Sequence, residues 1–239
     1  MSFEIHSFIF LGLVSFFSNF LSALSGGGAG LIQLPALLFL GLPFSGALAT
    51  HKVASVALGI GASIPHLRNG NIKKSFSIMI LAAGIPGVLL GAHIATSLST
   101  EFSTSLLGLL TLCISLYSFS KKNLGSSFVT NPLTNLRIFI CCLGLFFIGF
   151  LNGYLSSGTG LFVTIWMITL FNLSFSSAVA YTLIFVGVFW NGIGAFSLGL
   201  GGNIIWRYIP ILVLGSLLGG YLGAKFSIIK GTSFIKHIF

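Results

Sequence analysis

Ser25-Gly26-Gly27-Gly28-Ala29-Gly30-Leu31-Ile32-Gln33-Leu34-Pro35 reads SGGGAGLIQLP and follows twenty nearly uninterrupted apolar residues, 5–24. Four of its first six positions are glycine. Inside a helix each glycine costs about 1 kcal/mol against alanine. In a soluble protein the stretch would be a loop. Here it interrupts an apolar run, and the surroundings decide its meaning.

Those surroundings are apolar throughout. The 239 residues are 55% hydrophobic and 5% charged, with mean hydropathy +1.08. An ordinary soluble domain is about 25% charged. The apolar runs are continuous, whereas the strands of a membrane barrel alternate over about ten residues. The class is therefore an all-α polytopic membrane protein. A crossing helix needs about 20 apolar residues. The candidate spans are 5–24, 48–67, 76–98, 102–119, 136–155, 178–200 and 208–226. Two shorter pieces, 31–42 and 161–173, each follow a small-residue break: the glycine stretch above, and Ser156-Ser157-Gly158-Thr159-Gly160. The N-terminus lacks a basic region, so 5–24 reads as a retained span, with a cleaved signal peptide as the alternative.

The two breaks belong to a repeat. Gly70-Asn71-Ile72 recurs as Gly202-Asn203-Ile204, Gly91-Ala92 as Gly223-Ala224, and Ser45 as Ser177, all at one offset (202 − 70 = 223 − 91 = 177 − 45 = 132). Ala29-Gly30-Leu31 meets Thr159-Gly160-Leu161 at 130. Repeat 1 covers about 5–98 and repeat 2 about 136–226, with a connecting helix at 102–120, a linker at 121–135 and a tail at 227–239. All form one transmembrane domain.

Charge selects the topology. The net charge is +9, with eleven Lys and Arg against Glu4 and Glu101 and no Asp. The basic residues lie between apolar runs: Arg68, Lys73 and Lys74; Lys121, Lys122 and Arg137; Lys225, Lys230 and Lys236. That distribution fits the positive-inside rule and not a nucleic-acid surface. If both short pieces cross, all three groups fall on the cytoplasmic side, with the N-terminus outside and the C-terminus inside. The expectation is two inverted repeats of four crossing segments joined by a connecting helix, about nine crossings (range 7–10) in the cell (inner) membrane. Transporters of that architecture bind near the midplane between the repeats.

A broken helix buried in protein frees backbone N–H groups at a terminus carrying about half a positive charge, which holds an anion without a charged side chain. Glycines let the ligand approach the backbone. Gly87/Gly91 and Gly219/Gly223, spaced Gly-x-x-x-Gly, read instead as helix contacts. Lys52, in Thr50-His51-Lys52, lies inside a span, and a charge there costs about 2.5–3.5 kcal/mol on insertion scales. His51 is read as a hydrogen-bonding residue, with a proton carrier as the alternative. His66 and His93 fall near span ends. Cys113, Cys141 and Cys142 lack a ligand spacing and read as small buried hydrophobes. No carboxylate lies within a span, which excludes carboxylate relays and carboxylate-lined cation sites. An inside-negative potential contributes about 2.3 kcal/mol per charge per 100 mV and drives anions outward.

GGGAGLIQLPALLFLGLP at 26–43, ALATHKVAS at 47–55 and RNGNIK at 68–73 resemble the first half of the sulfite exporter TauE/SafE family. GFLNGYLSSGTGLF at 149–162 and LLGGYLGAKFSIIKG at 217–231 resemble its second half. The likeness runs from about residue 11 to 234. It implies a bacterial-type inner-membrane permease for sulfite, organosulfonates or related sulfur-containing anions. Position by position it carries over Gly26, Gly27, Gly28, Gly30, Pro35, Thr50 and Lys52, then Gly158, Thr159 and Gly160. Many members repeat a Thr-Lys in the second half, but this chain reads Ala180-Tyr181-Thr182-Leu183 there, so the site would hold one positive charge fewer.

The expected function is a permease exporting a small anion. The expected substrate site is Gly26, Gly27, Gly28, Gly30, Thr50, His51, Lys52, Ser156, Ser157, Gly158, Thr159, Gly160 and Thr182, with Trp190 and Asn191 lining the path. No cofactor, metal or nucleic-acid partner is implied; the partners are the anion and the bilayer. An uptake carrier or channel of the same fold is the alternative. Further off stand a non-catalytic membrane assembly subunit, and an intramembrane serine hydrolase using Ser156 or Ser157 with a histidine. The last lacks a G-x-S-x-G elbow and an acidic orienter.

Overall fold

A computed structural model describes residues 2–69, 72–120, 134–171 and 173–238. Gly70 and Asn71 of the repeated Gly-Asn-Ile, and Lys121 and Lys122 with most of the linker, lie outside them. The described residues are helical and contain no strand. The helices are α1 (Ser2–Ser25), α2 (Gly30–Phe39), α3 (Phe44–Asn69), α4 (Lys74–Ser97), α5 (Thr100–Ser120), α6 (Asn135–Tyr154), α7 (Thr159–Phe171), α8 (Phe175–Tyr181), a π-helical stretch (Thr182–Trp190), α9 (Asn191–Leu200) and α10 (Ile209–Ile238). Six helical stretches are long and apolar enough to cross a membrane, and α8, the π stretch and α9 form one of them, Phe175–Leu200. Six of the seven expected spans coincide with these, and the seventh coincides with α5. The two short pieces are α2 and α7, with ten and thirteen residues.

Local chemistry sets the ends. The α2 helix stops at Gly41, whose φ of 82° closes the turn while Leu42 N–H reaches back to Leu37 O at 3.4 Å. Ser174 caps α8, its Oγ accepting from Ser177 N–H. In α10 the helical dihedrals break at Gly231, five residues past the expected span end at 226.

Glycines set how the long helices meet. A Cβ on Gly87 of α4 would strike Phe146 O of α6, and one on Gly91 would strike Phe150 O. Likewise Gly219 and Gly223 of α10 lie against Phe16 O and Phe20 O of α1. The two contacts correspond through the repeat offsets (219 − 87 = 223 − 91 = 132; 146 − 16 = 150 − 20 = 130). Thus α1 lies on α10, and α6 on α4. Contacts rise together along both partners, so each pair is parallel. Direction follows for the rest. Thr50 near Ile205 and Gly61 near Leu217 make α3 parallel to α10. Trp190 near Ile80 and Tyr181 near Lys73 make the Phe175–Leu200 span parallel to α4. Gly59 against Gly187, with Lys52 against Asn191, makes α3 antiparallel to that span.

Outward faces are apolar, as for lipid contact: Ile9, Leu13 and Phe17 of α1 and Phe139, Leu143 and Phe147 of α6 are exposed. Two expectations change here, those for Cys113 and for His66, the latter expected at the membrane interface. Cys113 is exposed on α5, so only Cys141 and, in part, Cys142 are the buried hydrophobes expected. His66 is buried, while His93 is exposed near the end of α4. The last-turn position of His66 on α3 faces the bundle interior, not the rim.

Candidate functional site

The glycine stretch is a left-handed bend. Gly26, Gly27 and Gly28 have φ of 84°, 149° and 100°, conformations open to glycine and costly for other residues. Ser22 O accepts from both Gly26 N–H and Gly27 N–H, ending α1. The chain then starts α2 at Gly30, deep in the bundle. In the second half Ser156 (φ 59°) and Gly158 (φ 69°) make the corresponding bend, and α7 starts at Thr159. The two bends touch. A Cβ on Gly27 would lie 2.5 Å from Gly160 C, and one on Gly30 would lie 3.0 Å from both Ser157 Cα and His51 Nε2. Only glycine lets the two helix N-termini come this close. No backbone hydrogen bond takes up the N–H groups of Gly28, Ala29 and Gly30, or of Thr159 and Gly160.

Between the bends lies a cavity of about 40 Å³, larger than the ~10–15 Å³ that one water needs. Its walls are Ser22 of α1, residues 27–30, His51, Ser55 and Leu58 of α3, Asn152 of α6, Ser156, Thr159 and Gly160, and Thr182, Leu183, Val186, Gly187 and Asn191 of the Phe175–Leu200 span. Thr182 and Asn191 are nine residues apart. Along an α-helix that is two and a half turns, which would put them on opposite faces. The π-helical stretch rotates both onto the cavity, a use typical of such bulges.

Lys52 stands directly behind this wall and is fully buried. Its Nζ donates to Asn152 O at 2.8 Å, Asn152 Oδ1 at 3.1 Å and Asn191 Oδ1 at 3.3 Å. Three acceptor oxygens match the three N–H bonds of an ammonium. Gly194 leaves room for its stem, as a Cβ there would lie 2.9 Å from Lys52 Cε. Asn152 Nδ2 donates to Thr159 Oγ1, which donates to Ser156 O, so Lys52 is linked through Asn152 to the start of α7. All these partners are neutral, and among the described residues no carboxylate approaches Lys52. A buried ammonium without a counter-charge is unstable unless something neutralises it.

His51, about 100° round α3 from Lys52, lines the cavity itself. Its Nδ1 lies 2.8 Å from Gln33 Oε1, and its Nε2 lies 3.2 Å from Ser55 Oγ. The hydroxyls of Ser22 and Ser157, both buried, have no hydrogen-bond partner.

The expected residues divide accordingly. Gly27, Gly28, Gly30, His51, Ser156, Thr159, Gly160, Thr182 and Asn191 share one cavity, with Lys52 and Ser157 just behind it. Gly26 instead packs on α7 and α8, its carbonyl accepting from Thr164 Oγ1. Gly158 bends the chain without lining the cavity. Thr50 Oγ1 accepts from Ile205 N–H and holds the loop before α10. Trp190 packs on Gly84 and donates to Ile80 O. Sequence reasoning gave no role to Ser22, Gln33, Ser55 or Asn152. Gln33 and Asn152 carried a usable signal, because an amide inside an apolar span is expensive unless it serves something.

The sulfite exporter TauE/SafE family profile matches residues 11–239. The chain is similar to a probable membrane transporter protein of a Sinorhizobium species, 30% identical over 98% of this chain and 88% of the relative. It is 31% identical to one of Haemophilus influenzae over 93% of this chain and 86% of the relative. It is 22% identical to one of Bacillus subtilis, over 91% and 88%. No solved structure matches.

Proposed function

The chain belongs to the sulfite exporter TauE/SafE family, and from that premise we propose that this membrane permease moves sulfite or a related sulfur oxyanion or small sulfonate, outward. One observation carries the reading: Lys52 is fully buried with only neutral oxygens around Nζ, directly behind a cavity bounded by two helix N-termini. A small anion in that cavity supplies the missing counter-charge. It also takes up the free N–H groups of α2 and α7. Asn152 and Asn191 are the adaptable contacts, since each can turn its N–H toward an anion. The substrate-binding set we assign is Gly27, Gly28, Gly30, His51, Lys52, Asn152, Ser156, Thr159, Gly160, Thr182 and Asn191.

The same reading assigns the topology. If α1, α3 and α10 run one way and α4, α6 and the Phe175–Leu200 span the other, then α2 and α7 each return the chain across the bilayer. That gives nine crossings as two inverted repeats of four around α5. The basic ends then lie in the cytoplasm, with the N-terminus outside, in the cell (inner) membrane. Voltage alone moves an anion outward in this orientation.

The test is efflux from cells loaded separately with sulfite, thiosulfate, sulfate, a small sulfonate and acetate, with Lys52→Ala beside wild type. Saturable efflux of a sulfur oxyanion, lost in the variant, supports carrier, substrate and site. Flux that does not saturate assigns a channel, and accumulation in place of efflux assigns uptake. Absence of any flux from inserted protein overturns the permease reading.

A further inference from the structure

We infer, building on the permease reading, that His51 takes up one proton together with the transported anion, so that the two move as a pair. The geometry fixes the resting state of the ring. Ser15 Oγ donates its proton to Leu212 O at 2.7 Å, so it must accept the 3.0 Å hydrogen bond from Gln33 Nε2. Gln33 therefore turns Oε1 toward His51, where the 2.8 Å contact requires a donor. Nδ1 carries the hydrogen, and Nε2 presents a lone pair. That lone pair is on the cavity side. Among the described residues its hydrogen-bond partner is the Ser55 hydroxyl at 3.2 Å, and a hydroxyl can accept as readily as donate. His51 is thus wired as a base at the wall of the anion cavity.

The charges around it make proton and anion interdependent. Facing the ring are Gln33 and Gly30 of α2, Ser55 of α3 and Ser157 before α7. Ser22 of α1, Asn152 of α6, Ser156 and Thr159 at α7, and Thr182 and Asn191 of the Phe175–Leu200 span line the same cavity, and every one is neutral. The neighbouring charge is Lys52, turned to Asn152 and Asn191. Glu101, the acidic residue whose side chain is described, is exposed at the start of α5. An imidazolium beside Lys52 in an empty cavity has repulsion and no compensation. With a divalent anion present, both cations are paired. By linkage the anion raises proton affinity at Nε2 by the factor by which the proton raises anion affinity. The proton enters from the aqueous side, binds Nε2, donates from there to an anion oxygen, and leaves with the anion on the far side. A divalent anion with one proton still carries one net negative charge, so an inside-negative potential still favours export.

The experiment uses purified full-length protein in liposomes with the voltage clamped at zero by valinomycin and potassium. The probe is thiosulfate, or methanesulfonate if thiosulfate is not carried; both stay ionised at neutral pH. A one-unit pH gradient should concentrate the anion about tenfold on the alkaline side, since the two move one for one and each 1.4 kcal/mol is tenfold. His51→Gln should move the anion more slowly, with no such accumulation. A second measurement does not depend on the variant: wild type in detergent should take up about one proton per anion bound. Wild-type flux that ignores the pH gradient, or tenfold accumulation kept by His51→Gln, overturns proton coupling and leaves the permease reading intact. No flux of any anion in the panel overturns both.

Discussion

Lys52 Nζ donates to the main-chain oxygen of Asn152 at 2.8 Å, joining residues one hundred positions apart. The contact ties α3 to the last turn of α6. Carbonyls at a helix C-terminus carry about half a negative charge, so α6 steadies the ammonium without neutralising it. The net positive charge stays available to a ligand.

Asn152→Asp tests that balance. A carboxylate in place of the amide would pair with Lys52 and cancel the charge the anion needs. Anion efflux should fall to background, as in Lys52→Ala, while membrane insertion and yield stay normal. Lys121→Ala should leave efflux unchanged. Wild-type efflux from Asn152→Asp would mean that the Lys52 charge does not hold the substrate.

Gly27→Ala should be far worse than Gly41→Ala, although both glycines have positive φ. A Cβ at Gly27 meets the main chain of Gly160 at 2.5 Å, whereas one at Gly41 meets nothing within 4 Å. Gly41→Ala should cost about 1–2 kcal/mol from backbone strain alone. Gly27→Ala adds a backbone clash that pushes the two helix N-termini apart. Thermal unfolding in detergent and efflux would be measured together, with Gly27→Ala expected to lose both.

Gln33→Leu removes the acceptor for His51 Nδ1 and a donor to Ser15. A buried donor left unpaired costs about 1–3 kcal/mol. The variant should unfold at lower temperature, whereas Gln33→Asn and Ser55→Ala should unfold closer to wild type. An unchanged transition in Gln33→Leu would show that the Ser15–Gln33–His51 chain is not closed in the folded protein.

Orientation is checked with a membrane-impermeant maleimide in a background where Cys113, Cys141 and Cys142 are serine. Gly202→Cys, in the exposed turn after α9, should label in intact cells. Lys74→Cys, at the start of α4, should label only after permeabilisation. The reverse pattern would invert the assigned topology.

Much of this was legible in the chain. Length and continuity of apolar runs predict each long helix, because a bilayer demands both. The glycine breaks predict where α1 and α6 end, because left-handed backbone is open to little else. The Gly-x-x-x-Gly pairs predict helix contacts, and Gly87 and Gly219 do lie against Phe146 O and Phe16 O. Thr50 was harder. It stands two residues from Lys52 in the sequence, but 200° further round a helix it faces the Ile205 loop instead of the cavity. The π stretch left no mark in the sequence, since after Thr182 residues 183–190 are apolar throughout and fit any helical period.

By itself, then, the sequence determined a helical membrane protein with two small-residue breaks and one lysine out of place, because composition and local backbone preference act residue by residue. Tertiary structure alone decided which polar groups meet. Gln33, His51, Lys52, Asn152 and Asn191 come from three separate spans and one short helix, and their contacts depend on helix rotation and crossing. Those are set by close approaches such as Gly59 on Gly187 and Gly27 on Gly160, a property of pairs of surfaces that no single stretch of chain carries.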